Sequence, residues 1–514
     1  MEYTVDLCIA GASGAGMSAA IAARQHGVKD VLVLEKMPSV GGCTKMSAGI
    51  MGIDSPTQRR FGIHMDVDQA FNDLMTVLNW HCDAKLVRKW LKGSGENFAW
   101  LEDLGLKYDF VASESADVSR FRNTHHRLGK WNEDKGKWDM IPHGPYITKC
   151  LKDNCDKLGV KILLNTRAQH LIQEDSGRIT GVTAEGPDGP VTVHAKAVIL
   201  ATGSISSNQE LVRRFYKGSE YDNLRIMAQV PHNTGDGLIM AEEVGGVAGG
   251  VGTLFIGPHN HYPQASETVG MLMRRPHPIK VNKLGERFVN EGLPFEEFGW
   301  MQCANVDTQP GKVCYILMDQ RYIDAVKQGT EYLPPRIDTG CMLDQPPTMF
   351  GIHPIDKGKS PDTWRERIDE HIQYEADRGH MKVCQTLEEV SEFIGCGAGT
   401  LRSTVEGYNT FCHNGYDDDF LKRREFLFPV EQAPYYVIRG ESGIDTCLGG
   451  LKIDNHQHVV DRDGAAIPGL YAAGVMCSGW FNSLYAFFGS EMSFTIYSGR
   501  AAAAEAAAHL TPAD

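Results

Sequence analysis

The sequence lacks the features that mark membrane proteins, nucleic-acid-binding proteins and secreted proteins. No apolar run approaches the roughly 18 residues that a membrane-spanning helix needs. No block of lysine and arginine occurs, and the net charge is −14, which argues against nucleic acid or an anionic membrane as a partner. The first predicted strand follows Met1 almost at once, so we expect no signal peptide. These absences together predict a cytoplasmic protein.

The cysteines lack the spacing of a metal site or a disulfide framework. The chain has 13 of them with no C-x-x-C pair, and the closest two are Cys150 and Cys155. An odd number of scattered cysteines favours reduced thiols. We therefore expect no metal centre, no iron–sulfur cluster and no c-type haem attached to this chain.

The length and the change of composition along the chain predict more than one domain. A chain of 514 residues is too long for one simple core. Residues 253–440 are rich in prolines, aromatics and short mixed elements, whereas the flanking parts contain strands that end in small residues. We expect a first domain formed by residues 1–252, with a helical excursion at 60–145, and by 441–514, with a second domain inserted between them.

The segment from Val5 to Gly49 has the pattern of a dinucleotide-binding unit. A short apolar strand leads into the turn Gly11-Ala12-Ser13-Gly14-Ala15-Gly16, then a helix of small residues, then a second apolar strand that ends at Glu35. Such a turn lets backbone N–H groups approach a pyrophosphate, and the acid accepts from ribose hydroxyls. Ser13 replaces the middle glycine of the fingerprint, so an ordinary buried β-α-β unit stays open as an alternative.

A polar stretch at 110–145 is predicted to be an irregular surface or cleft loop. It contains His125, His126, Arg127 and His143. The paired histidines also suggest metal ligation, but no acid or thiol lies at ligand spacing.

The order of the motifs resembles that of the flavoprotein superfamily of fumarate reductase and succinate dehydrogenase flavoprotein subunits, soluble flavocytochromes c and 3-ketosteroid dehydrogenases. The matching motifs are Gly11–Gly16 with Glu35, Gly41-Gly42-Cys43-Thr44, Ser47-Ala48-Gly49, Ala201-Thr202-Gly203, Thr234-Gly235-Asp236-Gly237, the segment Val281 to Glu291, Gly449-Gly450-Leu451 and Ile467 to Gly474. The resemblance covers nearly the whole chain. It implies an α/β fold in which a Rossmann-like FAD-binding domain is interrupted by an inserted α+β capping domain, with the active site between the two.

The resemblance also implies which residues contact FAD. The contacts are Gly11, Ala12, Ser13, Gly14, Ala15, Gly16, Glu35, Lys36, Gly41, Gly42, Cys43, Thr44, Met46, Ser47, Ala48, Gly49, Ala168, Ala201, Thr202, Gly203, Asp236, Gly474 and Ser490. Val475 stands where the family usually has an acid. Cys43 stands where membrane-complex relatives can carry a histidine attached to flavin. We expect non-covalent binding, and a thioether to Cys43 is the alternative.

Two departures from the family bear on the substrate. In fumarate-type relatives a histidine before Gly449-Gly450 and an arginine in the C-terminal segment help to clamp a dicarboxylate, and this sequence has neither. An anionic substrate would therefore lack a bidentate partner there. The segment 479–489 instead supplies Trp480, Phe481, Tyr485, Phe487 and Phe488. We expect a neutral, ring-containing substrate, and packing in the core is the alternative role of these aromatics.

Five residues are candidates for proton transfer. Arg287 and Glu291 match the family's Arg-Phe-Val-Asn-Glu motif, and a structural ion pair at the domain joint is their alternative role. Tyr485 is suggested by the tyrosines of ketosteroid dehydrogenases, Asp445 lies near the position of the family's histidine, and Arg321 loosely matches the capping-domain arginine. The histidines near the predicted domain joint, at 232, 259, 261 and 277, are interpreted as polar filling.

The sequence therefore predicts an FAD-dependent oxidoreductase that reduces an activated C=C bond of a non-dicarboxylate compound. The hydride comes from flavin N5 and a side chain gives the proton. A 3-ketosteroid-type dehydrogenase that introduces C=C is one alternative, and a flavin subunit that relays electrons within a complex is another. NAD(P)H, reduced flavin and a redox protein all stay open as the electron donor.

Overall fold

The structure is a computed structural model of the 514-residue chain. It describes residues 1–112, 123–134, 137–216, 225–226, 232–255, 259–260, 267–292, 305–333, 354–360, 363–481 and 488–510.

The strands of the described residues form four sheets. They are β1 (Glu2–Ala10), β2 (Val31–Leu34), β3 (Ile50–Met51), β4 (Phe110–Ala112), β5 (His125–Asn132), β6 (Lys137–Ile141), β7 (Lys161–Leu163), β8 (Arg167–Gln173), β9 (Ile179–Gly186), β10 (Gly189–Leu200), β11 (Arg225–Ile226), β12 (Ala248–Phe255), β13 (His259–Asn260), β14 (Ile279–Val281), β15 (Val313–Asp319), β16 (Met381–Cys384), β17 (Tyr435–Glu441), β18 (Gly443–Leu451), β19 (His458–Val460) and β20 (Ala466–Ala472).

The α-helices of the described residues lie between these strands and at the C-terminal end. They are α1 (Gly14–Gln25), α2 (Pro56–Arg60), α3 (Val67–Val77), α4 (Ala84–Asp103), α5 (His143–Lys157), α6 (Gln209–Phe215), α7 (Asp236–Glu243), α8 (Glu267–Arg274), α9 (Gln320–Gln328), α10 (Ile368–Asp377), α11 (Leu387–Ile394), α12 (Ala398–Asn414) and α13 (Ser490–Leu510). In this described part of the chain, no helix combines the length and the apolarity that a bilayer crossing requires.

The largest sheet joins the two ends of the chain. Its central order is β19-β20-β10-β1-β2-β7, with β9 and β8 added beside β10. The strands β20, β10, β1, β2 and β7 run parallel. All four residues of β2 and the last four of β1 are buried, as expected for parallel strands covered on both faces. The predicted α/β class is confirmed.

Helices α1 and α13 pack against each other because small residues line their contact. A Cβ placed on Gly499 would lie 2.4 Å from the carbonyl oxygen of Ala15. Only glycine allows two helix backbones to approach this closely. Alanines of both helices, among them Ala19 and Ala503, are fully buried in the same core cluster as the apolar side chains of the sheet. The packing holds the start of α1 beside the carboxyl end of the central strand β1.

A separate sheet and two separate cores lie within residues 259–441. The sheet has the order β13-β17-β15-β14, with β16 on the outer side of β17. The two core clusters draw their buried residues from positions 269–438 and 279–437. The strands β12 and β18, on either side of this stretch in the sequence, pair antiparallel with each other. The chain therefore leaves and re-enters the first unit at one place, and the exact boundaries at 253 and 440 stay a prediction.

The prediction of an irregular loop at 110–145 was wrong. The stretch contains β4, β5 and β6, and β5 pairs with β3, β4 and β6. His125, His126 and Arg127 are buried in β5. A distant residue supplies one of the hydrogen bonds, since the Ser55 hydroxyl donates to His126 Nε2. A strand can bury such residues when their hydrogen bonds are satisfied, and this compensation is invisible in the local sequence.

Candidate active site

A cleft opens where β1, β2, β10 and β20 end. Its empty volume, counted together with the solvent at its open mouth, is about 790 Å³. Parallel α/β sheets bind ligands at the carboxyl ends of their strands. The lining residues are Ala10, Gly11, Ser13, Ala15, Leu34, Glu35, Lys36, Gly42, Cys43, Thr44, Thr166, Ala168, Ala201, Thr202, Gly203, His232, Asn233, Asp236, Ala473, Gly474, Val475, Glu491, Met492 and Thr495.

The glycine turn after β1 has no room for side chains at two of its positions. A Cβ on Gly11, whose φ is +106°, would lie 2.3 Å from the carbonyl oxygen of Ala201. A Cβ on Gly16 would lie 1.8 Å from the carbonyl oxygen of Gly11. The turn is therefore packed tightly against the end of β10. Ser13, which precedes the first turn of α1 and makes no side-chain cap, is left at the cleft.

The Glu35 carboxylate is fixed by the backbone of both neighbouring loops. Its Oε2 accepts from the N–H of Ala12 at 2.8 Å, and its Oε1 accepts from the N–H of Met37 at 2.9 Å. Each carboxylate oxygen can accept more than one hydrogen bond. The two backbone hydrogen bonds therefore fix the orientation of the Glu35 carboxylate. Its oxygens can still accept further hydrogen bonds from a ligand in the cleft.

Asp236, at the start of α7, is the centre of a polar cluster on the cleft wall. Its carboxylate pairs with Lys36 Nζ at 2.9 Å and Arg167 Nη2 at 2.8 Å, and it accepts from Thr234 Oγ1 at 2.8 Å. Burial alone would raise the pKa of this carboxyl, but the hydrogen bonds from Arg167 and Lys36 lower it below the usual value. The cluster ties together the segments that follow β2 and precede α7.

The loop Gly42–Met46 is a short 3₁₀ helix that is anchored at both ends. Thr44 Oγ1 accepts from the backbone N–H of Gly14 at 2.9 Å. Ser47 Oγ donates to the Thr44 carbonyl at 2.9 Å and lies 2.7 Å from Nδ1 of His143. Because the serine proton is already committed, Nδ1 carries the histidine proton and donates to Ser47.

His143 completes a directed chain of hydrogen bonds below this loop. Its Nε2 lies 2.7 Å from the hydroxyl of Tyr108 and accepts from it. Burial lowers the pKa of His143 to about 3, which keeps the ring neutral. The loop is thus held from behind by the chain Tyr108, His143, Ser47.

The comparisons with known proteins identify the family. The model of the FAD binding domain matches residues 6–490. The chain belongs to this family. Its cofactor is FAD, and it is an FAD-dependent oxidoreductase.

Several relatives are named reductases, and one is named a 4-oxocyclohexanecarboxylate 2-dehydrogenase. The chain is 27% identical over 508 residues to vinyl phenol reductase of Lactiplantibacillus plantarum, which covers 96% of this chain and 94% of that protein. It is 29% identical over 483 residues to urocanate reductase of Eggerthella lenta, with 91% and 69% covered. The open conformation of a flavocytochrome c3 fumarate reductase has a similar fold, with a TM-score of 0.69 at 24% identity, and 99% of this chain and 79% of that chain covered.

The cleft residues fit FAD. The turn residues Gly11, Ser13 and Ala15 line the cleft, and Glu35 keeps acceptor capacity for ribose hydroxyls. The cleft also holds two buried polar atoms that have no hydrogen-bond partner in the described part of the chain, the ring nitrogens Nδ1 and Nε2 of His232. Tight backbone approach, an oriented acid and unsatisfied polar atoms are what a polar dinucleotide requires of its site.

The structure places most of the predicted cofactor contacts around this cleft. The lining includes Gly11, Ser13, Ala15, Glu35, Lys36, Gly42, Cys43, Thr44, Ala168, Ala201, Thr202, Gly203, Asp236 and Gly474. Ala12, Gly14, Gly16 and Gly41 lie in the same turns without lining the cleft, and Ser490 begins α13. Met46 and Ala48 are exposed, Ser47 bonds to His143, and Gly49 packs against the His125 ring.

Cys43 lines the cleft beside Gly42. Its Sγ lies 3.2 Å from the Asn233 side-chain amide, which donates to it. Val475, at the position where the family usually has an acid, also lines the cleft. The bond to Asn233 holds the Cys43 side chain in a defined orientation towards the region after β10.

Arg287 and Glu291 form part of a buried ion network outside the cleft lining. Arg287 donates to both oxygens of Glu291, at 3.1 and 2.9 Å, and to both oxygens of Asp417, at 3.1 and 2.9 Å. Lys422 Nζ lies 3.3 Å from Glu291. Burial alone would raise the pKa of Glu291, but Lys422 and Arg287 lower it to about 2. The network connects segments that all lie within the inserted stretch, so its ion pairs do not bridge the predicted domain joint.

The other three catalytic candidates lie in different surroundings. Arg321, on α9, pairs with Glu431 at 2.9 Å and with Asp319 at 3.4 Å on the surface of the inserted stretch. Asp445 lies on β18, and its side chain is outside the described residues. Tyr485 also lies outside the described residues, as do His261 and Phe487.

Trp480 is a core residue. It is 1% exposed, its ring stacks on Phe494 with centroids 4.2 Å apart, and Trp90 meets it edge-on at 5.5 Å. Its Nε1–H donates to the carbonyl of Cys477. The alternative of core packing therefore fits Trp480, because no face of the ring is left for a substrate.

The histidines grouped at 125, 126 and 143 hold neighbouring loops. The Ser55 hydroxyl donates to His126 Nε2, and a Cβ on Gly49 would lie 2.4 Å from His125 Nε2. Within the ranges that the structure describes, no group of three or more His, Cys, Asp or Glu side chains could hold a metal ion.

Sequence reasoning missed part of the cleft wall. The missed residues are Thr166, His232, Asn233, Glu491, Met492 and Thr495. Two of them directly precede the motif that starts at Thr234, and Met492 and Thr495 lie one helical turn apart on α13. His232 and Asn233 could have been found because they lie next to a recognised motif. The cleft-facing side of α13 could not, because it is defined only by the packing of α13 against α1.

Proposed function

We propose that the chain reduces an activated C=C bond of a neutral, ring-containing small molecule. The observation that carries this proposal is the absence of two charged groups from the sequence, the histidine before Gly449-Gly450 and the arginine of the segment 479–489. A substrate carboxylate would find no bidentate cation from either segment. The names of vinyl phenol reductase and urocanate reductase support reduction of an unsaturated side chain on a ring.

The cofactor would be held by the cleft residues in the following way. The turn Gly11–Gly16 and the start of α1 hold the diphosphate, and Glu35 accepts from the adenosine ribose. The loop Gly42–Met46, held from behind by Ser47, passes along the flavin. FAD bound there supplies a hydride at N5. We propose that binding is non-covalent and that Cys43 Sγ keeps the hydrogen bond it accepts from the Asn233 amide at 3.2 Å.

The inserted stretch would act as the capping domain. It has its own sheet and cores, and it is joined to the FAD-binding unit through the paired strands β12 and β18. This arrangement supports a substrate site between the two units. We propose Tyr485 or Asp445 as the proton donor, on the grounds of sequence alone, since Tyr485 and the Asp445 side chain lie outside the described residues.

The test is anaerobic reoxidation of the photoreduced protein. The reduced enzyme is mixed in turn with a vinyl phenol, a cyclic enone, urocanate and fumarate, and the return of the oxidised flavin absorbance is followed. Reoxidation by the vinyl phenol or the enone, at least about tenfold faster than by fumarate at equal concentration, is the expected result. Fastest reoxidation by fumarate would overturn the substrate argument.

The reverse direction needs a control of its own. The oxidised enzyme is mixed with a saturated cyclic ketone, and bleaching of the flavin is followed without a reductant. Fast bleaching, together with slow reoxidation by every C=C compound, would favour the dehydrogenase instead.

A further inference from the structure

His232 lies close to Gly42 and to the glycine turn after β1. It lines the cleft beside Gly42. A Cβ built on Gly42 would lie 3.5 Å from His232 Nε2 and 3.4 Å from the Cβ of Ser13. Ser13 and His232 therefore both border the space that a side chain on Gly42 would fill.

Among the residues that the structure describes, none forms a hydrogen bond with the imidazole of His232. Both ring nitrogens are buried, and neither makes a hydrogen bond. The His232 carbonyl accepts from the N–H of Thr234 at 3.0 Å, so the backbone position of the residue is set. Buried polar atoms are nearly always hydrogen-bonded. Two unsatisfied ring nitrogens on the wall of a cofactor cleft point to a ligand as the missing partner.

The position of Ser13 indicates which part of FAD this partner is. In the dinucleotide fingerprint, the middle residue of the turn is where the backbone meets the pyrophosphate. Ser13 occupies that place, and it precedes the first turn of α1, whose N–H groups favour a negatively charged ligand. We propose that His232 donates a hydrogen bond to the diphosphate of FAD.

The charges around His232 predict how this contact responds to pH. Burial, followed by Lys36 and Lys45, lowers the pKa of His232 from its ordinary value, so the ring is neutral without a ligand. The other charged groups of the cleft wall are Glu35, Asp236 and Glu491, and Asp236 is already paired with Lys36 and Arg167. A diphosphate brings two negative charges, which favour the protonated ring. FAD binding therefore takes up a proton, and affinity increases as the pH falls through the pKa of the bound form.

The first experiment measures FAD affinity of the full-length apoprotein. The dissociation constant of FAD is determined by fluorescence titration between pH 5.5 and 8.5 for wild type, H232L, H232Q and the control H64L, which changes an exposed histidine. We expect H232L to bind FAD about 10- to 100-fold more weakly at pH 6, as for loss of a hydrogen bond to a charged group. H232Q should keep part of the affinity and lose the pH dependence, and H64L should match wild type. Equal affinities of H232L and wild type would overturn the proposal.

A second measurement separates the diphosphate from the rest of the cofactor. ADP and adenosine are used as competitors of FAD, since only ADP carries the diphosphate. H232L should weaken competition by ADP and leave competition by adenosine unchanged. Unchanged competition by ADP, together with weaker FAD binding, would place His232 against the flavin and overturn the diphosphate assignment. Thermal unfolding of the H232L apoprotein at or above the wild-type temperature shows that the fold is intact. None of these readouts depends on substrate, so they are independent of the proposed reaction.

Discussion

Ser47 Oγ lies 2.7 Å from His143 Nδ1, and this bond joins the cofactor loop to the buried core beneath it. The histidine is fully buried and neutral, and its other nitrogen accepts from Tyr108. The loop Gly42–Met46 can therefore keep its shape without help from the cofactor. A preformed loop lowers the ordering cost that a bound ligand would otherwise impose.

Removing the Ser47 hydroxyl is expected to destabilise this loop. S47A leaves the buried His143 Nδ1–H without an acceptor, which costs about 1–3 kcal/mol. Chemical denaturation should show that loss, and FAD should bind more weakly. S176A, which changes an exposed serine hydroxyl that bonds only to Glu174 and Arg178, is the control. Wild-type stability of S47A would show that the bond to His143 contributes little.

Three buried histidines predict a loss of stability in mild acid. Burial lowers the pKa of His126, His143 and His277 to about 3, whereas the unfolded chain titrates near 6.5. These histidines do not lower the free energy of unfolding above pH 6.5. They lower it progressively as the pH falls from 6.5 towards 3, because the unfolded state then binds more protons than the folded state. Each histidine lowers the free energy of unfolding by about 1.4 kcal/mol per pH unit in that window.

His277 offers a specific variant for this pH effect. Its ring lies among Tyr322, Phe426 and Phe428, so H277F keeps an aromatic group there. The free energy of unfolding is measured between pH 7.5 and 5. Below pH 6.5, that of H277F should fall less steeply than that of wild type, by the roughly 1.4 kcal/mol per pH unit expected for one histidine. Parallel pH profiles of the two proteins would contradict the assignment.

The packed turn predicts a sharp difference between two glycines of similar conformation. Gly11 and Gly105 both have positive φ, +106° and +97°. A Cβ on Gly11 would lie 2.3 Å from the Ala201 carbonyl oxygen, whereas one on Gly105 has nothing within 4 Å. G11A should abolish FAD retention on purification, since the backbone must shift, and G105A should retain FAD with a loss of about 1 kcal/mol from strained backbone alone. The ratio of flavin to protein absorbance gives the result, and equal FAD content of the two variants would contradict this reading.

The ion network at Arg287 predicts a stability defect of large size. R287A leaves the Glu291 and Asp417 carboxylates buried, with Lys422 as the nearest remaining cation to Glu291. Removing one partner of a buried pair costs about 3–5 kcal/mol. FAD should stay bound at 25 °C, because Arg287 is not among the residues that line the cleft.

Turnover per bound FAD separates the two roles of Arg287. A less stable R287A protein with wild-type turnover supports the structural ion pair. Wild-type stability with reduced turnover would instead support the role in proton delivery.

Trp480 should affect stability and not substrate binding. W480A removes a ring enclosed by Trp90 and Phe494 and should cost about 3–5 kcal/mol, as for other large-to-small changes in a core. W480F should lose less and keep the KM for the substrate identified by the reoxidation test. A raised KM for W480F with unchanged stability would restore substrate contact as its role.

The sequence predicted those parts of the fold whose determinants are local. The turn Gly11–Gly16 and Glu35 were found because strand, turn, helix and acid follow one another at fixed spacing. The strand β5 was missed because its histidines are satisfied by distant partners, such as Ser55 for His126. A run of polar residues has no local sign that such partners exist, so an irregular loop was the natural expectation.

In the cleft, too, only the features with local determinants could be predicted from the sequence. Its turns and acid were predicted, whereas His232 was assigned to polar filling because a single histidine has no pattern. The role of Trp480 depended on Trp90 and Phe494, which only the packing brings together. Tyr485 and the side chain of Asp445 lie outside the described residues, so their part in catalysis stays a prediction.

The pairing of β20 with β10 has a consequence for the order of events during synthesis. The cleft wall at Gly474, Met492 and Thr495 comes from the last part of the chain, whereas the turn at Gly11 leaves the ribosome first. A nascent chain therefore displays half of the cofactor site long before the other half exists. We expect FAD to be captured only after the segment up to Thr495 has emerged from the ribosome, so that ribosome-bound chains ending before Ile467 should carry no flavin.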